Sequence, residues 1–282
     1  MVTLRKALLD KIRKIIDSIK LNEPMSKHTS FGIGGPADVF AVAEDEESLK
    51  RLTQILEDNG IDYFLLGGGT NILVNDKGIR GVAIRLGRGF EKVERVENGL
   101  AVGAAAKLVK VVDKAQREGL SGLEFASGIP GTTGGALMVN ASAFGHLIRP
   151  LARRIRRLKG SKIILEAELE LRREDPSVIV SKMREYFEYK RETQPLFLKS
   201  AGCVFRNPPN RFAGQLIQEA GLKGERVGGA YVSFKHANFI INRGDAKATD
   251  VLNLMELIQE KVKGLFGILL EPEINIIGET FP

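Results

Sequence analysis

The sequence contains no tryptophan, one cysteine and three histidines in 282 residues. A single cysteine cannot close a disulfide within the chain. That excludes the disulfide-stapled class of small secreted domains and leads us to expect a reducing, cytoplasmic setting. His28, His146 and His236 are scattered and lack metal-ligand spacing, so no metal site is expected. With no tryptophan and 6% aromatic residues, stacking platforms for single-stranded nucleic acid are poorly supplied. No apolar run is long enough to span a bilayer. The N-terminal stretch lacks the continuous apolar segment of an export signal. Instead Leu4, Leu8, Ile12, Ile15, Ile16 and Ile19 recur at helical spacing between basic residues, which predicts an amphipathic helix packed on the body. Internal repeats and low-complexity tracts are missing as well.

What the chain does have is enough apolar sequence for a core: 43% hydrophobic against 27% charged residues. Its length fits two or three packed subdomains. The net charge of +7 comes from basic residues interleaved with 35 acidic ones, and only RPLARRIRRLKGSK (149–162) forms a basic run. Small phosphate-bearing ligands explain that balance without any nucleic-acid partner.

Helical and strand patterns alternate along the chain, which argues for a mixed α/β or α+β protein. Residues 45–60 read as a helix with Asp45 as N-cap and Gly60 as stop. Residues 107–119, 176–192 and the two patterns NRFAGQLIQEAG and ATDVLNLMELIQEKVKGLFG read as further helices. DVFAVAE, IDYFLL, GVAIRL, KVERVE, LAVGAA, IILEAELELRR, GAYVSF, FIINR and EPEINIIG read as strands.

Three glycine clusters stand out: GIGGPA (32–37), LGGGTN (66–71) and GIPGTTGGA (128–136). Ordinary turns explain any one of them, but glycine also lets a ligand approach the backbone closely. None lies between a strand and a helix as a dinucleotide-binding fingerprint requires. Only GIPGTTGGA opens a short helix, with Pro130 near its start and free N–H groups facing an anion. Several loops, rather than one helix end, are therefore expected to wrap a diphosphate.

SKHTSFGIGGPAD, LLGGGTNILV, GLEFASGIPGTTGGALMVNASAFG, KRETQP, SAGCVFRNPP, AGLKGERVGGAYVSFKHANFIIN and LEPEINIIGE occur in this order from Met25 or so to Glu279. Together they resemble the UDP-N-acetylenolpyruvoylglucosamine reductase (MurB) family, of the type lacking extra substrate-domain insertions. The resemblance implies an α+β chain with the FAD-binding fold of the vanillyl-alcohol oxidase/PCMH type. Two FAD-binding subdomains (1–80, with the N-terminal helix, and 81–195) would precede a C-terminal α+β substrate domain (196–282). It further implies non-covalent FAD, NADPH as co-substrate, a UDP-sugar substrate, a monomer without nucleic-acid or membrane partners, and a reduction in peptidoglycan synthesis. Another FAD-dependent sugar or alcohol oxidoreductase of the same fold is the alternative, but it would not need the SAGCVFRNP block or the LEPE terminus. A basic nucleotide- or RNA-binding protein would not need three glycine loops.

The resemblance also distributes roles. Cys203 falls where most relatives carry the serine that protonates the substrate. A lone cysteine is otherwise read as a small buried hydrophobe, sensitive to oxidation if accessible. Glu273 matches the family's acidic active-site residue, and Glu271 shares its strand face. Asn275 stands where relatives have arginine. Arg154, in the basic run, is the expected partner of the substrate carboxylate; a solvated basic loop is the plainer reading. Asn207, Arg206 and Lys235 are expected to bind substrate. Gly67, Gly68, Gly69, Thr70, Asn71, Gly128, Thr132, Thr133, Gly134, Asn140 and Ala141 are expected to bind FAD.

Overall fold

A computed structural model describes residues 6–278. Leu4 of the N-terminal helical pattern and Glu279 of the last family-like block lie outside the described residues. The chain divides into two compact units built from interleaved segments. Met1–Leu21, Val39–Gly68 and Gly81–Lys190 form the first; Asn22–Asp38, Gly69–Arg80 and Arg191–Pro282 form the second.

The first unit contains α1 (Lys6–Arg13), α2 (Glu46–Asp58), α3 (Leu108–Arg117), α4 (Thr133–Val139) and most of α5 (Pro176–Thr193). Local chemistry accounts for α2. Asp45 accepts from Ser48 N at 2.8 Å, Asp45 N donates back to Ser48 Oγ at 3.3 Å, and Gly60 follows at φ +60°. Leu49, Leu52 and Leu56 make its buried stripe, as Leu108, Val111, Val112 and Ala115 do for α3. An antiparallel sheet runs in the order Ala152–Arg157, Ile164–Glu170, Gly99–Gly103, Val93–Val96. Leu165, Ala167 and Leu169 alternate inward from its second strand. Tyr63–Leu66 pairs in parallel with Ile79–Leu86, registering Tyr63 on Val82. The helices and sheets share one apolar core, which includes Leu52, Ile84, Leu100, Leu108 and Leu165.

Two expectations change here. The N-terminal helix ends at Arg13, and Ser18–Pro24 is a strand in the sheet ordered Ser18–Pro24, Pro36–Ala43, Ile79–Leu86, Tyr63–Leu66. Backbone pairing to a neighbouring strand overrides the local helical pattern there. The basic run is not a loop either. Ala152–Arg157 is a strand that places Arg154 opposite Glu168 and Arg156 opposite Glu166. Cross-strand carboxylates make an arginine-rich edge tolerable.

The second unit carries α6 (Ala213–Glu219) and α7 (Ala248–Phe266). Its antiparallel sheet is Arg226–Val227, Ala230–Val232, Ile240–Asn242, and Asn275–Ile277 pairs in parallel with Ile72–Val74. Phe31, Leu73, Phe205, Ile217, Leu254 and Ile274 belong to its separate core. Among the described residues no helix is long and apolar enough to cross a membrane.

Candidate functional site

In the first unit two glycine loops meet backbone to backbone. A Cβ on Gly68 would stand 2.6 Å from Gly131 Cα, and one on Gly67 would stand 3.0 Å from Thr132 Oγ1. At Gly68, against backbone, only glycine permits that approach. Thr132 caps α4 by accepting from Gly135 N at 3.4 Å. The short helix forms as the sequence predicts, but its leading N–H groups are not free. Thr133 N donates to Ala106 O and Gly134 N to Ala104 O, both at 2.9 Å. The cause is a backbone bridge between Lys107 and Thr132 that docks the helix start on the 104–107 turn. Thr133 Oγ1 is taken by Ala106 O as well, at 3.1 Å. Asn140 closes α4 in the left-handed region at φ 51°, accepts from Arg149 N at 3.0 Å, and is followed by Ala141, whose N–H returns to Ala136 O at 2.8 Å.

Stretches 66–71 and 127–136 contain glycine, hydroxyl and amide residues and no acidic side chain. The Ser127 hydroxyl is buried there without a hydrogen-bond partner among the described residues. Donors without competing anions fit a phosphate-bearing nucleotide such as FAD.

In the second unit a further group of the expected residues comes together. Segment 203–206 lies between two others, bridging Cys203 to Phe239 and Phe205 to Pro272. Val204 N donates to Asn238 O at 2.8 Å, Glu273 N to Val204 O at 2.7 Å, and Arg206 N to Glu271 O at 2.8 Å. Asn238 stitches this arrangement with its side chain, accepting from Phe205 N at 3.0 Å and donating to Phe205 O at 2.7 Å.

Cys203 and Glu273 are thereby brought together. Desolvation, then the neighbouring Glu273 charge, push the Cys203 thiol up to about 12, against a weaker opposing hydrogen bond from Asn238. Cys203 keeps partial surface exposure even so. Burial also raises the Glu273 carboxyl above its usual range, with Arg206 pulling the other way. Glu273 remains exposed enough for a ligand to reach. Such a thiol holds its proton at neutral pH, beside a carboxyl whose proton affinity burial has raised.

The remaining expected residues have protein partners. Arg154 belongs to the first unit and lies 3.7 Å from Glu168 on a well-exposed edge. In the second unit Lys235 Nζ donates to Arg191 O. Asn207 Oδ1 accepts from Ala213 N at 3.0 Å, at the start of α6. Asn71 Nδ2 donates to Glu273 O at 3.3 Å, and Asn71 O accepts from Asn275 N at 3.0 Å, so the end of the 66–71 glycine loop ties to the Glu273 segment. Gly69 O accepts from Ser30 N at 2.9 Å. Among the described residues no cluster of potential metal ligands occurs.

Sequence reasoning missed Asn238 and Lys190. Asn238 had a signal: an asparagine inside the apolar run HANFII is unfavourable in a strand unless its amide is paired. Lys190 sits 4% exposed on α5, in the KRETQP block. Nothing in a helical pattern distinguishes it from a solvated lysine.

Two family models match the chain. One is described as the C-terminal domain of UDP-N-acetylenolpyruvoylglucosamine reductase and covers residues 194–277; the other is an FAD binding domain and covers 37–159. The chain is 42% identical to the UDP-N-acetylenolpyruvoylglucosamine reductase of Caldanaerobacter subterraneus subsp. tengcongensis, over 96% of this chain and 98% of that one. It is 39% identical to the same enzyme of Halalkalibacterium halodurans, over 96% and 99%. The crystal structure of the reductase from Thermus caldophilus superposes with a TM-score of 0.80 at 34% identity, covering 92% of this chain and 98% of that one.

Proposed function

The chain belongs to the UDP-N-acetylenolpyruvoylglucosamine reductase family, and on that premise we propose that it reduces UDP-N-acetylglucosamine enolpyruvate to UDP-N-acetylmuramate with NADPH and bound FAD. The reaction is a step of peptidoglycan precursor synthesis, carried out by a cytoplasmic monomer. Bound FAD supplies the hydride chemistry, from NADPH to the terminal vinyl carbon of the substrate. Residues 1–80 and 81–195 serve as the flavin-binding subdomains and 196–282 as the substrate domain. Gly67, Gly68, Gly69, Thr70, Asn71, Gly128, Thr132, Thr133, Gly134, Asn140 and Ala141 line the cofactor.

Reduction of the carbon–carbon double bond needs a proton at the second vinyl carbon, and Cys203 donates it. The S–H bond breaks as the C–H bond forms, and solvent reprotonates the thiolate. Glu273 stands beside the donor and keeps it protonated in the resting site. Arg206, Asn207 and Lys235 contact the UDP-sugar, and Arg154 pairs with the substrate carboxylate, where a guanidinium fork suits the geometry.

The observation that carries this reading is the placement of Cys203 beside Glu273, fixed by the Glu273 N to Val204 O hydrogen bond at 2.7 Å and the Cys203–Phe239 bridge, where burial and the carboxylate push the thiol up to about 12. A group so reluctant to ionise gives up its proton only to a strongly basic centre, such as a carbon that has just taken up electron density. Rapid mixing tests it by separating the half-reactions. Cys203→Ala should leave flavin reduction by NADPH unchanged and slow flavin reoxidation by the enolpyruvyl substrate by about 100-fold or more, the lower end of a general-acid contribution. Cys203→Ser should retain most of the rate. Normal reoxidation in the alanine variant would remove Cys203 from the mechanism.

A further inference from the structure

Ser127 is 8% exposed, and its hydroxyl oxygen is a buried side-chain polar atom without a hydrogen-bond partner among the described residues. Both of its backbone groups are satisfied. The N–H donates to Glu124 O at 3.0 Å, and the carbonyl accepts from Lys190 Nζ at 2.7 Å. Only the hydroxyl is left over. A buried donor that meets neither water nor protein costs the fold stability, so such a group calls for an explanation.

Lys190 poses the same question from the other side. Its ammonium is buried, donates to Phe125 O at 3.3 Å as well as to Ser127 O, and lies 5.5 Å from the Phe144 ring centroid. Burying a lysine is unfavourable, and desolvation lowers this one to about 8. Among the described residues no opposing charge offsets that desolvation. What the lysine achieves is to fix the carbonyls on either side of Ala126. The turn they frame leads into Gly128 at φ +75°, the start of the GIPGTTGG loop. The loop also sits directly on α5: a Cβ on Gly128 would stand 3.3 Å from Phe187 Cδ2 and 3.5 Å from Lys190 Cδ. Two unfavourable features thus occupy one short turn at the mouth of the glycine loop. The leading N–H groups of α4, just beyond, are already used within the fold.

We propose that the Ser127 hydroxyl is a hydrogen-bond donor to an acceptor atom of bound FAD, and that Lys190 is the positioning residue that aims it. The proposal rests on the flavin-binding reading above. It makes the missing partner of Ser127 the cofactor, and it makes the buried lysine the reason the turn holds its shape before the cofactor arrives.

The test uses full-length apoprotein prepared by stripping the flavin, with FAD affinity read by quenching of flavin fluorescence. Ser127→Ala should raise the Kd for FAD about five- to tenfold, the value of one hydrogen bond. Its apoprotein should melt at or above the wild-type temperature, because an unsatisfied hydroxyl has been removed. Lys190→Met keeps the aliphatic stem and should also weaken FAD, with an altered flavin visible circular dichroism spectrum. The Ser127→Ala/Lys190→Met double variant should lose little more than Lys190→Met alone, because the lysine acts through the serine. Equal FAD affinity in wild type and Ser127→Ala overturns the assignment of Ser127. Fully additive losses overturn the positioning role of Lys190. If Lys190→Met does not fold, Ser127→Ala decides the matter alone. A wild-type apoprotein that takes up no FAD overturns the flavin-binding reading itself, an outcome distinct from a Ser127→Ala variant that binds as well as wild type.

Discussion

On the proposed mechanism Cys203 takes the place of a proton-donating serine, which exchanges a very weak acid for one whose ordinary value is about 8.5. On that ground alone the thiol looks like an easy proton source and an easy target for oxidants. Its surroundings reverse both expectations. Desolvation and the Glu273 charge hold the thiol at about 12, so thiolate is scarce at neutral pH. Since thiolate is the reactive form, the native protein should resist alkylation. Iodoacetamide at pH 8 should label Cys203 in the folded protein roughly 100-fold more slowly than in urea, the scarcity of thiolate being partly offset by its greater nucleophilicity, and folded-state labelling should still be rising with pH at 10. Glu273→Gln removes the like charge and must therefore lower the thiol value. That variant should label faster than wild type at every pH between 8 and 10, even as its flavin reoxidation by substrate slows. A folded wild type that labels as fast as the unfolded chain would contradict the placement of the thiol.

At the scale of elements, Asp76 illustrates what lies beyond a sequence reading. Its carboxylate accepts from Ala248 N at 2.8 Å, Thr249 N at 3.0 Å and Thr249 Oγ1 at 2.6 Å, at the start of α7. Desolvation pushes this carboxyl up, but the Thr249 and Ala248 hydrogen bonds and the Lys247 charge outweigh it, and the net shift is downward. A depressed carboxyl stabilises the fold above its unfolded value and loses that contribution as pH falls through the folded value. Asp76→Ala should therefore cost about 1–2 kcal/mol at pH 7 by urea unfolding. The difference from wild type should shrink when the measurement moves below pH 3.8, the ordinary aspartate value. An equal difference at both pH values would mean that the lost contacts do not depend on the charge. The α2 cap was legible because Asp45 and Ser48 are three residues apart. Asp76 and α7 are separated by more than 170 residues, and no local pattern connects them. The same holds at the site. Glycine spacing exposed the loops, but that α4 spends its leading N–H groups on Ala104 and Ala106 is a tertiary fact. Composition made the basic run look like solvated loop, because the glutamates that pair with it lie on the following strand. Cys203 and Glu273 were singled out through resemblance; in periodicity alone they are a small buried residue and a surface acid.

For the whole molecule, the interleaving of the two units has a consequence for any attempt to divide it. The C-terminal-domain family model covers residues 194–277, which suggests a cut near Arg191. A fragment of residues 191–282 would lack 22–38 and 69–80, and with them Phe31, Ile33 and Leu73 from the core of the second unit. Each such side chain contributes roughly 1.5–3 kcal/mol when buried. The fragment would also lose Ile72–Val74, the parallel partner of Asn275–Ile277, and the Asp76 cap on α7. Net stability of a domain is only about 5–15 kcal/mol, so these losses are of the size of the whole. The fragment should show no cooperative thermal transition and poor amide dispersion in proton NMR, whereas the full chain melts cooperatively. A fragment that unfolds cooperatively would mean that the 22–38 and 69–80 segments are accessories to the second unit and not parts of its core.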